Sequence, residues 1–324
     1  MKIVILDGFA VNPGDLDWGF LGKYGDYEVF AKTPDAECAG KCKGAEVVFT
    51  NRAKITAALL DKCPTIKYVS ALGTGFDMID TDACRERGVQ VVNIPAYSTA
   101  SVAQLTIQML LALYSDLDGM RNIVRDGMWT GIPGYPYQNV NYTELDGMTL
   151  GLIGCGGIGS RVAKIASALG MNVIAATAHH HEDTDCVKFM TVDEVRKRCD
   201  VLSLHCPLND STRGMVDAEF ISGMKPGAKL INTSRGAVLN EKDVADALNS
   251  GRLSGAALDV LAVEPALPDN PLLKAKNCVV TPHIAWASKA ARIRLLEVIK
   301  SSLESYVKTG KGQNIVAGCD GSGR

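Results

Sequence analysis

The 324-residue sequence has no excess of either charge: 34 Lys and Arg stand against 36 Asp and Glu, a formal net charge of −2. That balance excludes the broad basic surface that drives non-specific nucleic-acid binding, and it supplies no polybasic membrane anchor. The ten cysteines include no C-x-x-C pair. They stand singly, and Cys155, Cys206 and Cys278 lie inside apolar runs, where a free thiol behaves as a small buried hydrophobe. This usage excludes a disulfide scaffold and predicts a reducing, cytoplasmic compartment. The opening MKIVILDGF has one Lys and an apolar run of four, too short for the core of a secretion signal.

Long apolar runs are missing too. The best membrane candidate is the uncharged stretch from Gly88 to Ser115. Gln90, Asn93, Pro95 and Ser98 interrupt its first half, and Ser101, Gln104, Gln108 and Ser115 recur at helical spacing in its second. That pattern predicts a helix over Val102–Leu113, buried on most sides or packed against a second copy, and not a membrane span. No solenoid-period repeat and no low-complexity segment is present.

What is present is alternation. Apolar runs predict strands at Lys2–Leu6, Tyr27–Phe30, Glu46–Phe49, Lys67–Ala71 and Val89–Asn93. Later runs predict them at Met148–Ile153, Met171–Ala176, Val201–Leu204, Ala228–Asn232, Gly255–Asp259 and Cys278–Thr281. Helical patterns fall between them, at Asp193–Arg198, Asp217–Met224 and Glu241–Ser250. Strand–helix alternation predicts an α/β chain of parallel sheets covered on both faces. Length alone predicts about two domains at ~150 residues each. Boundaries are expected near Ala96–Ser101 and Pro282–Ser288, and Thr130–Tyr142 reads as an irregular, Tyr-rich loop. The Gly-rich end, residues 317–324, is expected to be a disordered tail.

The run MTLGLIG leads into Gly154-Cys155-Gly156-Gly157-Ile158-Gly159, a G-x-G-x-x-G pattern with a strand before it. Ile158, Val162, Ile165 and Leu169 then mark a helix that Gly170 terminates. Gly154 suits a tight turn, Gly156 a close backbone approach to a pyrophosphate, and Gly159 close helix–strand packing. The next strand of such a unit normally ends in the acid that holds the ribose 2′-OH of NAD. Here it ends in Thr177, followed by Ala178 and His179-His180-His181. No carboxylate there repels a 2′-phosphate, and Thr177 or His179 can bond to one, so NAD and NADP both stay open. The three adjacent histidines read as a solvated loop first, an adenosine-ribose contact second and a metal site last. No metal is expected.

Three later segments carry titratable residues at strand ends. LINTSR presents Arg235, GAALDVLAVE places Asp259 at a strand end with Glu264 beyond it, and VVTPHIAW carries His283 and Trp286. In an open α/β sheet these ends share the edge at which ligands bind. Arg offers a planar fork with permanent charge for a 2-oxo acid. His titrates in the range needed to protonate its carbonyl oxygen, and a neighbouring carboxylate favours a charged imidazole. Singly, Arg235 reads equally as half of a surface ion pair, Glu264 as solvated and His283 as a satisfied loop histidine. Their convergence on one sheet edge is harder to explain that way.

The runs GLIGCGGIG, LHCPLNDSTRGMV, MKPGAKLINTSRGAVLNE, GAALDVLAVEP and TPHIAWAS resemble the D-isomer-specific 2-hydroxyacid dehydrogenases. The resemblance extends from LDGFAVNPGDLDW to the terminal helix, and NIPAYSTASVAQ and PHIAWAS are most similar to its D-glycerate dehydrogenase, or hydroxypyruvate reductase, subgroup. It implies two Rossmann-like domains, one flavodoxin-like and one NAD(P)-binding, with a cleft between them that closes on the substrate. Residues 1–98 with 288–316 would form the substrate domain, and 99–287 the cofactor domain. It implies that Arg235 binds the substrate carboxyl and keto groups and that His283, paired with Glu264, is the acid/base. Asp259 matches the residue that holds the nicotinamide carboxamide, with the backbone of Thr233 and Ser234. Leu72-Gly73-Thr74-Gly75 matches a loop whose N–H groups cradle the carboxylate, Trp286 a substrate contact, and Cys206-Pro207 the adenosine side.

Departures from the family pattern are Thr177 for an acid, Ala100 and Gln104 where many members have acids, and Phe76-Asp77 after the carboxylate loop. The implied activity is hydride transfer between NAD(P) and C2 of a small 2-oxo or 2-hydroxy acid, hydroxypyruvate/D-glycerate first and glyoxylate beside it, in a homodimer. Two other readings stand with it: the same chemistry on another 2-oxo acid or a phosphite-like anion, and an NADH-sensing binding protein similar to the family's corepressors. The chain shows no partner-binding arm beyond its short tail.

Overall fold

The computed structural model describes residues 1–130, 142–179 and 182–318. Its chain divides into two compact units: Met1–Ser98 with the segment from Ala287 onward, and Thr99–Trp286. The first unit begins as β1 (Lys2–Ile5), α1 (Gly8–Val11), β2 (Asp26–Val29), α2 (Cys38–Lys41) and β3 (Val47–Thr50). It continues through α3 (Ala57–Lys62), β4 (Tyr68–Ala71), α4 (Thr81–Glu86) and β5 (Gln90–Val92). Side chains start these helices: Thr56 Oγ1 accepts from the Leu59 N–H and Asp80 Oδ1 from the Ala83 N–H.

The second unit opens with α5 (Thr99–Tyr114) and α6 (Leu117–Arg125), then β6 (Thr149–Ile153), α7 (Gly157–Ala168), β7 (Asn172–Ala176) and β8 (Lys188–Phe189). It ends with α8 (Val192–Arg198), β9 (Val201–Leu204), α9 (Ala218–Ser222), β10 (Ala228–Asn232), α10 (Glu241–Ser250), β11 (Leu253–Leu258) and β12 (Cys278–Val280). Its sheet has the order β12-β11-β10-β9-β6-β7-β8, with every pairing parallel. Strand alternation sends neighbouring residues into different cores. Leu202, Leu204 and Leu230 pack with α9 and α10 residues, whereas Val201, Ile231 and Ala257 pack with Leu110 of α5 and Val162 of α7. The order reverses between β6 and β9, so the ends of those two strands form the switch point at which open α/β sheets bind ligands.

The last pieces, α11 (Lys289–Thr309) and β13 (Ile315–Ala317), complete the first unit, whose sheet order is β13-β5-β4-β3-β1-β2. Arg292 in α11 is buried and makes a two-pronged pair with Asp15, 2.6 and 2.8 Å, and donates to the Val11 carbonyl. That guanidinium holds the Asp15 carboxyl below its ordinary range. Tyr68 of β4 and Ser302 of α11 share a 2.9 Å hydrogen bond.

The structure corrects the sequence reading at several places. β13 pairs antiparallel with β5, so this sheet is not wholly parallel. Ala317 lies in that strand and is buried, so it is not part of a disordered tail. Residues 319–324 lie outside the described residues, as do 131–141 of the Tyr-rich loop. Neither β8 nor α6 was expected: β8 has two residues, too few for a periodic signal, and α6 has none buried. The helix expected over Val102–Leu113 starts three residues earlier and ends one later.

Candidate active site

The phosphate-type loop sits at the switch point, directly after β6. Gly154 has φ +91°, and a Cβ there would fall 2.6 Å from the His205 carbonyl oxygen, beside the end of β9. A Cβ on Gly159 would fall 2.4 Å from the Gly154 oxygen. Both positions therefore need glycine, for turn conformation and close packing. Around Gly156 the opposite holds, because a Cβ would meet no protein atom within 4 Å. A glycine that no neighbour requires, at the N-cap of a 12-residue helix, fits backbone approach by a bound phosphate. Gly157 and Ile158 form the first turn of that helix.

The acid/base candidate lies after β12. His283 has φ +55°, an uncommon conformation for a residue with a Cβ. Its N–H donates to the Asp259 carbonyl, 2.8 Å. The Asp259 side chain, buried at the end of β11, accepts from Thr281 Oγ1 at 2.5 Å and from the Ile284 and Ala285 N–H groups at 3.0 and 2.8 Å. One carboxylate thus ties down the residues on both sides of His283. The imidazole Nδ1 lies 2.6 Å from Glu264 Oε2, and Glu264 Oε1 accepts from the Leu261 N–H. An ionised carboxylate can only accept, so Nδ1 carries the proton and Nε2 faces away from the pair.

Arg235 follows β10. Buried Asn232 shapes its turn: the Asn232 oxygen accepts from the Ser234 N–H and Oγ, and its amide donates to the Arg235 carbonyl, 2.9 Å. Gly236 then lies so close to the next strand's loop that a Cβ would stand 1.9 Å from the Leu261 carbonyl carbon. Close approach at that glycine packs the Arg235 turn against the loop that carries Glu264. The profile of the "D-isomer specific 2-hydroxyacid dehydrogenase, NAD binding domain" matches residues 107–285, more than half the chain. A hydroxypyruvate reductase of Blautia hydrogenotrophica is 41% identical over 322 residues, covering 98% of this chain and 99% of that one. This chain is a D-isomer-specific 2-hydroxyacid dehydrogenase.

The chain is also similar to the glycerate dehydrogenase of Methylorubrum extorquens, at 34% identity over 97% of this chain and 98% of that one. A solved protein of Thermus thermophilus superposes with a TM-score of 0.84, at 33% identity, covering 98% of this chain and all of the other. The dehydrogenase is accordingly an oxidoreductase acting on the CH–OH group of 2-hydroxy acids with a nicotinamide cofactor.

Other expected site residues fall as follows in the dehydrogenase. Cys206, at the end of β9, is buried, and the Pro207 carbonyl accepts from Thr212 Oγ1. Thr233 is buried, Ser234 half-buried, and Trp286 half-buried at the end of its unit. Thr177 is half-buried after β7, with its hydroxyl donated to the exposed His179's carbonyl; His180 and His181 lie outside the described residues. In the first unit, Leu72 is buried and its N–H donates to the Thr50 carbonyl. The Gly73 carbonyl accepts from Ile94 and that of Thr74 from Asn93. The N–H groups of Gly73, Thr74 and Gly75 donate to no acceptor among the described residues.

Sequence reasoning missed His205, whose ring is 3.0 Å from Ser203 Oγ. Burial alone pushes its pKa down to about 4. It also missed Ser101, Thr106 and Asn232, polar residues within apolar patterns that give no local sign of their partners. No group of metal-ligating side chains that would hold an ion occurs among the described residues, and none of their helices is long and apolar enough to cross a membrane.

Proposed function

We propose that this dehydrogenase interconverts hydroxypyruvate and D-glycerate, with glyoxylate as a second substrate, through Arg235, Glu264 and His283. The observation that carries the catalytic assignment is the 2.6 Å His283–Glu264 pair on the sheet edge that also holds the Arg235 turn. The substrate follows the naming of the 41%-identical relative. Gly154, Gly156 and Gly159 would hold the cofactor pyrophosphate, with Asp259 and the Thr233–Ser234 backbone toward the nicotinamide. When bound, that cofactor supplies or accepts the hydride at substrate C2.

The protein does the rest. The Arg235 guanidinium holds the carboxylate and the keto oxygen, matching their plane with its fork. His283 Nε2 gives its proton to the oxygen as it gains charge, and the imidazole becomes neutral. Glu264 keeps Nδ1 protonated and the ring oriented throughout, so oxidation of the hydroxy acid returns the proton by the same route. On this reading the N–H groups of Gly73, Thr74 and Gly75 in the first unit serve a carboxylate, as successive backbone donors do in anion-binding nests.

The absence of an acid at Thr177 supports use of NADPH as well as NADH. A homodimer is supported by exposed apolar side chains along α6 and after it: Leu117 is 74% exposed, and Val124, Met128 and Trp129 are also exposed. The surplus is greater there than on α5, where eight residues are buried within the unit. All described cysteines are free, which suits a reducing cytoplasm. The deciding experiment measures kcat/KM for a panel of 2-oxo acids with NADH and with NADPH, with molar mass by light scattering. A tenfold preference for another oxo acid overturns the substrate. Strong preference for NADH removes any 2′-phosphate role for Thr177, and a monomer at micromolar concentration removes the dimer. Tight NADH binding without turnover returns the chain to a binding function.

A further inference from the structure

We propose that α5 sets the substrate-binding and proton-transfer residues against each other, with Ser101 and Thr106 as its positioning residues. The Arg235 turn follows β10 and the His283 turn follows β12, and β11 separates the two strands. Across β11 the two turns meet at Asp259, whose N–H donates to the Asn232 carbonyl and whose carbonyl accepts from the His283 N–H. Two hydroxyls of one helix reach both turns. Ser101 Oγ donates to the Ala285 carbonyl at 2.6 Å. Thr106 Oγ1 lies 2.9 Å from the Val102 carbonyl, to which it donates, and 3.1 Å from Thr233 Oγ1, which therefore donates to it.

The backbone of Ala285 is consequently held at both its ends, its N–H on Asp259 and its carbonyl on Ser101, two residues after the imidazole. His283 keeps a left-handed backbone that needs such support. Thr233, two residues before Arg235, is held to a side chain that is wholly buried. Helices are stiff, so anchoring both turns to the first two turns of α5 adds a second brace to the tie they already share through Asp259. Rate depends steeply on that spacing, since a shift of about 1 Å in a reacting group can cost 10²-fold.

This inference rests on the assignment of Arg235 and His283 proposed above, and its test separates the two. Ser101→Ala and Thr106→Val are expected to lower kcat for hydroxypyruvate reduction about five- to twentyfold, with the cofactor KM changed less than twofold. Ser101→Thr and Thr106→Ser, which keep the hydroxyls, are expected to recover most of the rate. In a His283→Ala background, Ser101→Ala is expected to change the residual rate less than twofold, because its effect passes through the imidazole. A folded Ser101→Ala enzyme with wild-type kcat, while His283→Ala retains only its residual rate, overturns the role of Ser101 alone. A fully active His283→Ala enzyme overturns the catalytic assignment itself. Equal losses from Ser101→Ala in both backgrounds mean that the hydroxyl serves folding and not the acid/base, which also overturns the inference. If Ser101→Ala does not fold, Thr106→Val against Thr106→Ser carries the test.

Discussion

Glu264 Oε2 and His283 Nδ1 stand 2.6 Å apart although they lie 19 positions apart in the chain, and the Asp259 carboxylate holds the Thr281 hydroxyl on one side of the histidine and the Ala285 N–H on the other. The imidazole is thereby fixed at one nitrogen and presents the other, the arrangement an acid/base needs. His283→Ala is expected to lower kcat by about 10²–10⁴-fold. Cofactor affinity, read by NADH fluorescence titration, should stay within a factor of about two. Wild-type turnover in the folded variant would remove His283 from the mechanism.

Arg235 tests the need for a fork and not only a charge. Arg235→Lys retains the positive charge but loses planar, paired donation. Its kcat/KM for hydroxypyruvate should fall on the order of 10²-fold, the range seen when one positioned donor is lost from an active site. Cofactor KM should be unchanged. Equal kcat/KM for Lys and Arg at this position would show that charge alone suffices.

The glycines divide into two kinds, and substitution separates them. Gly236→Ala forces a methyl against the Leu261 backbone and should cost about 1–3 kcal/mol of stability as overpacking, with loss of activity. Gly156→Ala meets no protein atom, so stability should change by less than about 1 kcal/mol. Cofactor affinity should nevertheless fall about tenfold, equivalent to ~1.4 kcal/mol. Denaturant melts and NADH titrations of both variants check this. A Gly156→Ala enzyme with undiminished affinity would place the pyrophosphate elsewhere.

His205 sets a pH limit on stability. Burial depresses its native pKa to about 4 from an ordinary 6.5, so the unfolded chain takes up a proton in that interval and the native state does not. Stability is therefore fully present above about pH 6.5 and declines as pH falls toward 4, by on the order of 3 kcal/mol over the whole window. His205→Asn should flatten this part of the profile of unfolding free energy against pH. Parallel wild-type and variant profiles would show that the ring does not stay neutral in the native state.

Much of this protein was readable without coordinates, because its signals are local. Strand–helix alternation, the Gly154–Gly159 pattern and the polar residues at strand ends each occupy a short window. Resemblance to a family then gave Arg235, Glu264 and His283 their roles. Less legible were elements too short or too exposed to leave a period, such as β8 and α6. The terminal strand was hidden for another reason: β13 follows a Gly- and polar-rich stretch, and only its pairing with β5 distinguishes Ile315–Ala317 from a tail.

By itself the sequence determined the class of fold and the places of the glycine-rich turn and of the polar residues at strand ends, since side-chain periodicity and turn chemistry act over a few residues. Tertiary structure decided what holds those groups in place. Ser101 meets Ala285 across 184 residues and Arg292 meets Asp15 across 277. A buried hydroxyl or guanidinium must find a partner, but nothing in its neighbourhood along the chain says which one. Folding brings the partner into reach, and so sets His283 beside Glu264 on the sheet edge that carries the Arg235 turn.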